Sequence, residues 1–282
     1  MASINFIPVP CMPREEGEKH LVFAKASGLP YLKEAARPAL IVLGGGHSIT
    51  PLEDELRAFP GDIWACGSVF QWCRSRGIEA TFFAVDPLPE VEAMTEGAEN
   101  AIVAETVHPS VITALKAMGS NAHLFELIET QDMVNHGTTA ATCTPQLAIE
   151  VGYRDITYIG CESSITECLM RPDDPAASIY YNGTSHAYKN VSVVDDEWTI
   201  FLRVQVGDQA FITIPALLNQ AEYLAKIIRV SPIFKEKGGG LLGAMIKDLR
   251  FDITHGVQKL HDKLAHNIAA RLTPEQIVAA RL

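Results

Sequence analysis

The chain has 282 residues, 48% of them hydrophobic, a formal net charge of −11 and a pI near 5.3. That acidity excludes the global basic surface that holds nucleic acid or anionic membranes nonspecifically, and the apolar runs fall short of the roughly 18 residues that span a bilayer. The length fits one large domain, or one domain with appended elements, and suffices to bury a full core.

The opening segment MASINFIPVPCMPREEGEK has no signal-peptide core, so a cytoplasmic location is expected. Residues 1–37 read as an N-terminal extension. The run 39–43 reads as a buried strand leading into Gly44, Gly45 and Gly46. Thr50-Pro51-Leu52-Glu53 has the capping-box pattern with proline at the first helical position, which predicts a helix starting just past the glycines. Glycine N–H groups at the positive end of a helix accept phosphate, so Gly44, Gly45, Gly46 and Ser48 are candidates for nucleotide binding. Neither common nucleotide motif is complete. Ile49 stands where the dinucleotide fingerprint needs its third glycine, Cys66-Gly67-Ser68 stands where it needs an acid, and no Walker A Gly-Lys-Ser/Thr follows.

Downstream, strands at 63–66, 80–85, 101–104 and 123–127 alternate with helices near 69–76, 89–96 and 110–118. Thr138 and Thr139 precede an apolar helical face of Ala141, Leu147, Ala148 and Val151, where Pro145 is expected to kink the helix or to mark a late start capped by Thr144. Another buried strand follows at 155–160. Residues 162–197 show no steady period and read as a long surface segment, a length at which irregular loops are often functional. The runs 199–206 and 209–214 around Gly207-Asp208 predict a hairpin. A helix near 215–229, a flexible break at 237–240, a helical tail at 256–272 and a last short helix opened by Thr273-Pro274-Glu275-Gln276 complete the chain.

This alternation predicts an α/β fold with a doubly wound, mostly parallel Rossmann-like sheet, a small β-hairpin and a C-terminal helical extension. The main domain is placed at 38–250 and the helical tail at 251–282. Carboxyl ends of parallel strands share one edge, so Gly44 to Ser48, Cys66 to Ser68, Asp86, and Gly160 to Ser164 are expected to converge on one crevice. Glu162 is a candidate catalytic acid, because a charge ending a buried strand needs a partner or a ligand. Asp86 is a second, with capping of the following helix as its competing role. Cys11, Cys66, Cys73, Cys143, Cys161 and Cys168 form no C-x-x-C pair and no zinc spacing, so reduced core thiols are expected and no metal site is assigned.

Taken in order, ALIVLGGGHSITPLEDEL, GDIWACGSVFQWCRSRGIEATFFAVDP, HGTTAATCTPQLAIEVGYRDITYIGCESS, SHAY and GGGLLGAMI resemble one family. It groups MptE-like 6-hydroxymethylpterin diphosphokinases with the central domain of the Maf (motility accessory factor) flagellin glycosyltransferases. The likeness covers residues 38–250 and implies a fold like that of bacterial sialyltransferases, which use CMP-activated sugars. His47 stands where the family usually has proline, Ile49 where it has leucine, and Gly160-Cys161-Glu162 where it has G-x-D. Ala84-Val85-Asp86-Pro87 is closer to the Maf side than to the acid-rich stretch of the pterin kinases.

The resemblance implies a glycosyltransferase-like enzyme whose substrate is a nucleotide-activated sugar such as a CMP-nonulosonate, with the acceptor hydroxyl unassigned. In it Gly44, Gly46 and Ser48 would meet phosphate or ribose, with Gly67 and Ser68 beside them and Ser163 close by. Thr138 and Thr139 would donate from the opposite wall, or simply cap their helix. His186 would deprotonate the acceptor, and Tyr181 or Tyr188 would steady the departing phosphate. Two other readings stay open. One is an MptE-like diphosphokinase with Asp86 and Glu162 holding Mg²⁺ for ATP; the other is a non-catalytic nucleotide- or sugar-binding module. No nucleic-acid partner is expected, and homo-oligomerisation is left open.

Overall fold

The structure is a computed structural model that describes residues 12–34, 37–127, 139–164, 202–206 and 209–248. Nine strands are present among them: β1 (Ala39–Leu43), β2 (Asp62–Cys66), β3 (Thr81–Ala84), β4 (Asn100–Ala104), β5 (Asn121–Phe125), β6 (Asp155–Ile159), β7 (Leu202–Val206), β8 (Gln209–Thr213) and β9 (Phe234–Lys237). Seven form one all-parallel sheet in the order β5-β4-β3-β2-β1-β6-β9, and β7 pairs antiparallel with β8 as a separate hairpin. In β1, Leu40, Ile41, Val42 and Leu43 are all buried, the mark of a parallel strand covered on both faces.

The helices are α1 (Arg14–Ala26), α2 (Glu53–Arg57), α3 (Val69–Ser75), α4 (Pro109–Ala117), α5 (Thr144–Val151), α6 (Pro215–Val230) and α7 (Gly240–Lys247). From β1 the chain steps outward through β2 to β5, then returns to place β6 on the other side of β1. Because parallel crossovers are right-handed, that reversal puts the helices of the two halves on opposite faces of the sheet. Packing agrees: α4 lies against α1 and the 3₁₀ segment 89–95, whereas α6 lies against α7 and the 3₁₀ segment 140–143. The fold is therefore an α/β Rossmann-like one whose topological switch point lies between β1 and β6. No helix among the described residues is long and apolar enough to cross a membrane.

The N-terminal segment docks on this core. Leu124 N–H donates to Pro30 O and Leu32 N–H to Leu124 O, both at 2.8 Å, so residues 30–32 cover the open edge of β5. Tyr31 Oη donates to buried Glu105 at 2.8 Å, and the ring of buried His20 meets Thr106 O at 3.2 Å.

Several expected elements move. The helix after the first glycines starts as a 3₁₀ segment at His47, directly behind Gly46, and Pro51 lies inside it. The Thr50 side chain makes no capping bond, since the turn is already closed upstream of it. Residues 89–95 are 3₁₀ and not α. Pro145 marks the late start and not a kink: a 3₁₀ turn at 140–143 hands over to α5 at Thr144, but Cys143 is the N-cap, and the Thr144 hydroxyl donates back to Ala141 O and bonds Tyr158 Oη at 2.9 Å. The break expected at 237–240 is instead the turn between β9 and α7. The tail expected beyond residue 250 lies outside the described residues, as do the hairpin's Gly207 and Asp208.

Candidate functional site

At the switch point the two strands that split the sheet end against each other. Gly44 N–H donates to Ile159 O and Gly46 N–H to Gly160 O, each at 2.8 Å. A Cβ on Gly44 would lie 2.3 Å from Gly160 O, and one on Gly160 would lie 2.2 Å from Gly44 O. Only glycine permits that approach at either position, and Gly160 also adopts φ +71°.

Ser48 and Glu162 bridge the two strand ends. Ser48 N–H donates to Glu162 Oε1 at 2.6 Å, and Ser48 Oγ accepts from Gly160 N–H at 3.2 Å. Glu162 is only 2% exposed, and its Oε2 has no hydrogen-bond partner. That oxygen lies under Gly46, where a Cβ would come within 1.5 Å of it. The turn between β9 and α7 closes the chamber. Leu242 N–H donates to Glu162 O at 3.0 Å; a Cβ on Gly240 would strike the Glu162 side chain, and one on Gly238 would strike Ser48 Oγ.

Ser163 holds the next position with φ +57°, the one described non-glycine residue in the left-handed region. Its hydroxyl donates to Cys161 O at 3.0 Å and accepts from Gln220 Nε2 at 2.9 Å, while its carbonyl accepts from Thr213 Oγ1 at 2.7 Å. Gln220 Oε1 accepts from Thr139 Oγ1 at 2.5 Å. Thr139 thus joins a buried polar chain linking α5's entry, α6, β8 and the loop after β6, and it makes no side-chain cap.

The expected residues on β1, β2 and β6 do share one edge. Gly67, at φ +60° with its N–H on Phe83 O, and Ser68 lie at the end of β2, beside β1. Asp86 follows β3, is exposed, and accepts the N–H of Leu88 at 3.1 Å in a local turn; it does not cap the following 3₁₀ segment, whose N-cap is Leu88 with no side-chain capping bond. Strands β3 and β6 are three positions apart, which at the spacing of sheet strands is roughly 14 Å. Asp86 and Glu162 thus follow strands that are not neighbours in the sheet. Thr138, Tyr181, His186 and Tyr188 lie outside the described residues.

Where the sequence led to a phosphate cradle, the geometry shows committed donors. The N–H groups of Gly44, Gly46 and Ser48 all serve acceptors of this chain, the last of them a carboxylate. Burial pushes the Cys143 thiol up to about 11 and the Cys73 thiol to about 12, and raises Cys66 and Cys161 as well. All four are free, Cys73 and Cys161 buried and Cys66 and Cys143 half-buried.

Glu236 and Gln220 carry no motif in the sequence, and the glycines 238–240 read there as a flexible break with no site role. A signal was present, since Gly238-Gly239-Gly240 opens a helix as Gly44-Gly45-Gly46 does, but the charged strand Phe-Lys-Glu-Lys before it hid the parallel. Glu236 accepts the Gly239 N–H at 2.5 Å. Burial, with the nearby charge of Glu162, raises its carboxyl above the ordinary 4.5, while the Gly239 N–H and Lys247 act the other way. An acid raised in the fold retains a proton the unfolded chain has released. Its contribution favours the fold below about 4.5 and is lost as pH climbs through the folded value. Glu236→Gln is therefore expected to raise the melting temperature over wild type near pH 7 and to match it near pH 4. Equal destabilisation at both pH values in thermal melts would show that the carboxylate's turn contact dominates.

Comparison with models of known protein families, with curated proteins and with solved structures finds no match to this chain.

Proposed function

We propose that the switch-point crevice is the site of a glycosyltransferase-like enzyme that uses a nucleotide-activated sugar, in keeping with the Maf-like sequence pattern. The observation that carries this reading is the unpartnered Oε2 of Glu162, a 2%-exposed acceptor at the edge where open α/β sheets bind ligands. A buried carboxylate oxygen without a donor is costly, and a sugar or acceptor hydroxyl supplies the donor. In this reading the acceptor oxygen bonds to the anomeric carbon, the bond to the nucleotide phosphate breaks, and the acceptor proton passes to a base. Glu162 is the described candidate for that base, and His186 is the other.

Ligand reaches Glu162 by displacement of the turn 238–240, whose glycines place no side chain in the way. The strand ends of β1 and β2 then line the nucleotide's side of the crevice, with Gly67 and Ser68 beside Gly44, Gly46 and Ser48. The diphosphokinase alternative is the less favoured because Asp86 follows a strand three positions from the one that precedes Glu162.

The test is release of free nucleotide from CMP-, UDP- and GDP-sugars incubated with the intact protein. CMP release from a CMP-sugar without Mg²⁺ is expected. Consumption of ATP with Mg²⁺ and no release from any sugar donor would overturn the reading.

A further inference from the structure

A cavity of about 420 Å³ opens at the amino ends of the strands, the sheet edge opposite the switch point. That volume falls within the roughly 300–1,000 Å³ of small-molecule sites. The segment 30–34 forms one wall as it passes over the sheet from β5, and Asp62, Thr81, Asn100 and Asn121, the first residues of β2 to β5, form the other together with His123.

Those groups have hydrogen-bonding capacity to spare. Asn121 Nδ2 donates to Asn100 Oδ1 at 3.1 Å, which leaves the Asn100 amide hydrogens and the Asn121 carbonyl side by side for a ligand. Thr81 and His123 have no side-chain partner among the described residues.

Charge is balanced around the cavity. Asp62 accepts from Tyr153 Oη at 2.6 Å and from Arg37 N–H at 3.0 Å, and lies 3.8 Å from the Arg37 guanidinium. Lys33 and Glu34 on the facing wall carry opposite formal charges. No net charge is offered to an ion such as a phosphate.

Two of the lining aromatic rings are packed away, while Tyr31 is 38% exposed. Trp64 stacks on Phe83 with centroids 5.3 Å apart, takes the Tyr153 ring edge-on, and is 1% exposed; Tyr153 is 2% exposed. A flat base thus finds no ring of Trp64 or Tyr153 to slot against, and the exposed Tyr31 ring covers at most one face of a ligand, whereas a polyol also uses the alternating donors and acceptors that are present.

We propose that this cavity is a second, non-catalytic site that binds a neutral mono- or disaccharide, its vicinal hydroxyls held by the Asn100–Asn121 amide pair. The proposal is independent of the reaction at the switch point. Its test is calorimetric titration and saturation-transfer NMR of the intact protein with glucose, galactose, maltose and cellobiose, with uridine as the planar control. Binding of at least one saccharide with a Kd on the order of millimolar is expected. In the Asn100→Ala/Asn121→Ala double variant that affinity falls by about tenfold or more at unchanged melting temperature, and in Glu162→Gln it is unaltered. The proposal is overturned if no saccharide binds at about 10 mM, if uridine binds in preference, if the double variant binds as wild type does, or if Glu162→Gln abolishes binding and so assigns it to the switch point.

Discussion

Gly160→Ala is expected to be among the most damaging small substitutions at the described residues, lowering stability by about 4 kcal/mol. The left-handed backbone at φ +71° costs a residue with a Cβ about 1–2 kcal/mol. Forcing that Cβ to within 2.2 Å of Gly44 O and 2.6 Å of Ile49 Cγ2 adds the roughly 1–3 kcal/mol of overpacking. A flexible side chain could step aside, but Gly44 O is backbone held in the β1–β6 junction. Gly119→Ala is the control: it has a similar φ of +69° with open space at the Cβ, so it isolates the backbone cost. Thermal and denaturant unfolding of the two variants should separate them by roughly 2 kcal/mol or more. Equal losses would mean that the strand ends are not in the close contact on which the candidate site depends.

The second large effect concerns Glu162. Glu162→Gln keeps an oxygen to accept the Ser48 N–H and keeps the side chain's volume, but removes the charge and the basicity. Transfer from the nucleotide-sugar donor is expected to fall by about 100-fold or more, the range that a general base contributes, while the melting temperature stays close to wild type. Glu162→Ala should lose turnover as well and also stability, by about 1–3 kcal/mol, because the buried Ser48 N–H is left without an acceptor. Only the pair of variants is decisive, since loss of activity with loss of fold would leave the carboxylate's role unread. A Gln variant that transfers at the wild-type rate would reduce Glu162 to a structural clasp between β1 and β6.

The strands were legible because burial on both faces writes them as continuous apolar runs. ALIVL and DITYI could be placed from their side chains alone, and β1 with β6 then had to converge at their carboxyl ends. Glu162 was legible for the same reason, as an acid closing an apolar strand. β9 was not, because three of the four residues in Phe-Lys-Glu-Lys are charged and only Phe234 is buried. With that strand unread, Gly238-Gly239-Gly240 looked like a flexible break and not the turn that closes over Glu162. The function of the first glycines also depended on partners the local pattern does not contain. From sequence, three glycines before a helix suggest free N–H groups for phosphate. In the fold, Ile159, Gly160 and Glu162, more than a hundred residues away, already take the N–H groups of Gly44, Gly46 and Ser48. Spacing within a motif cannot report that competition.

The most direct test of the account is thermal stabilisation of the intact protein by CMP, CDP, UDP, GDP, ADP and ATP, each with and without Mg²⁺. A ligand that binds only the folded state raises the melting temperature according to its concentration and affinity. The account predicts stabilisation by CMP or CDP that does not need Mg²⁺. Stabilisation by ATP that appears only with Mg²⁺, or no stabilisation by any nucleotide, would contradict it.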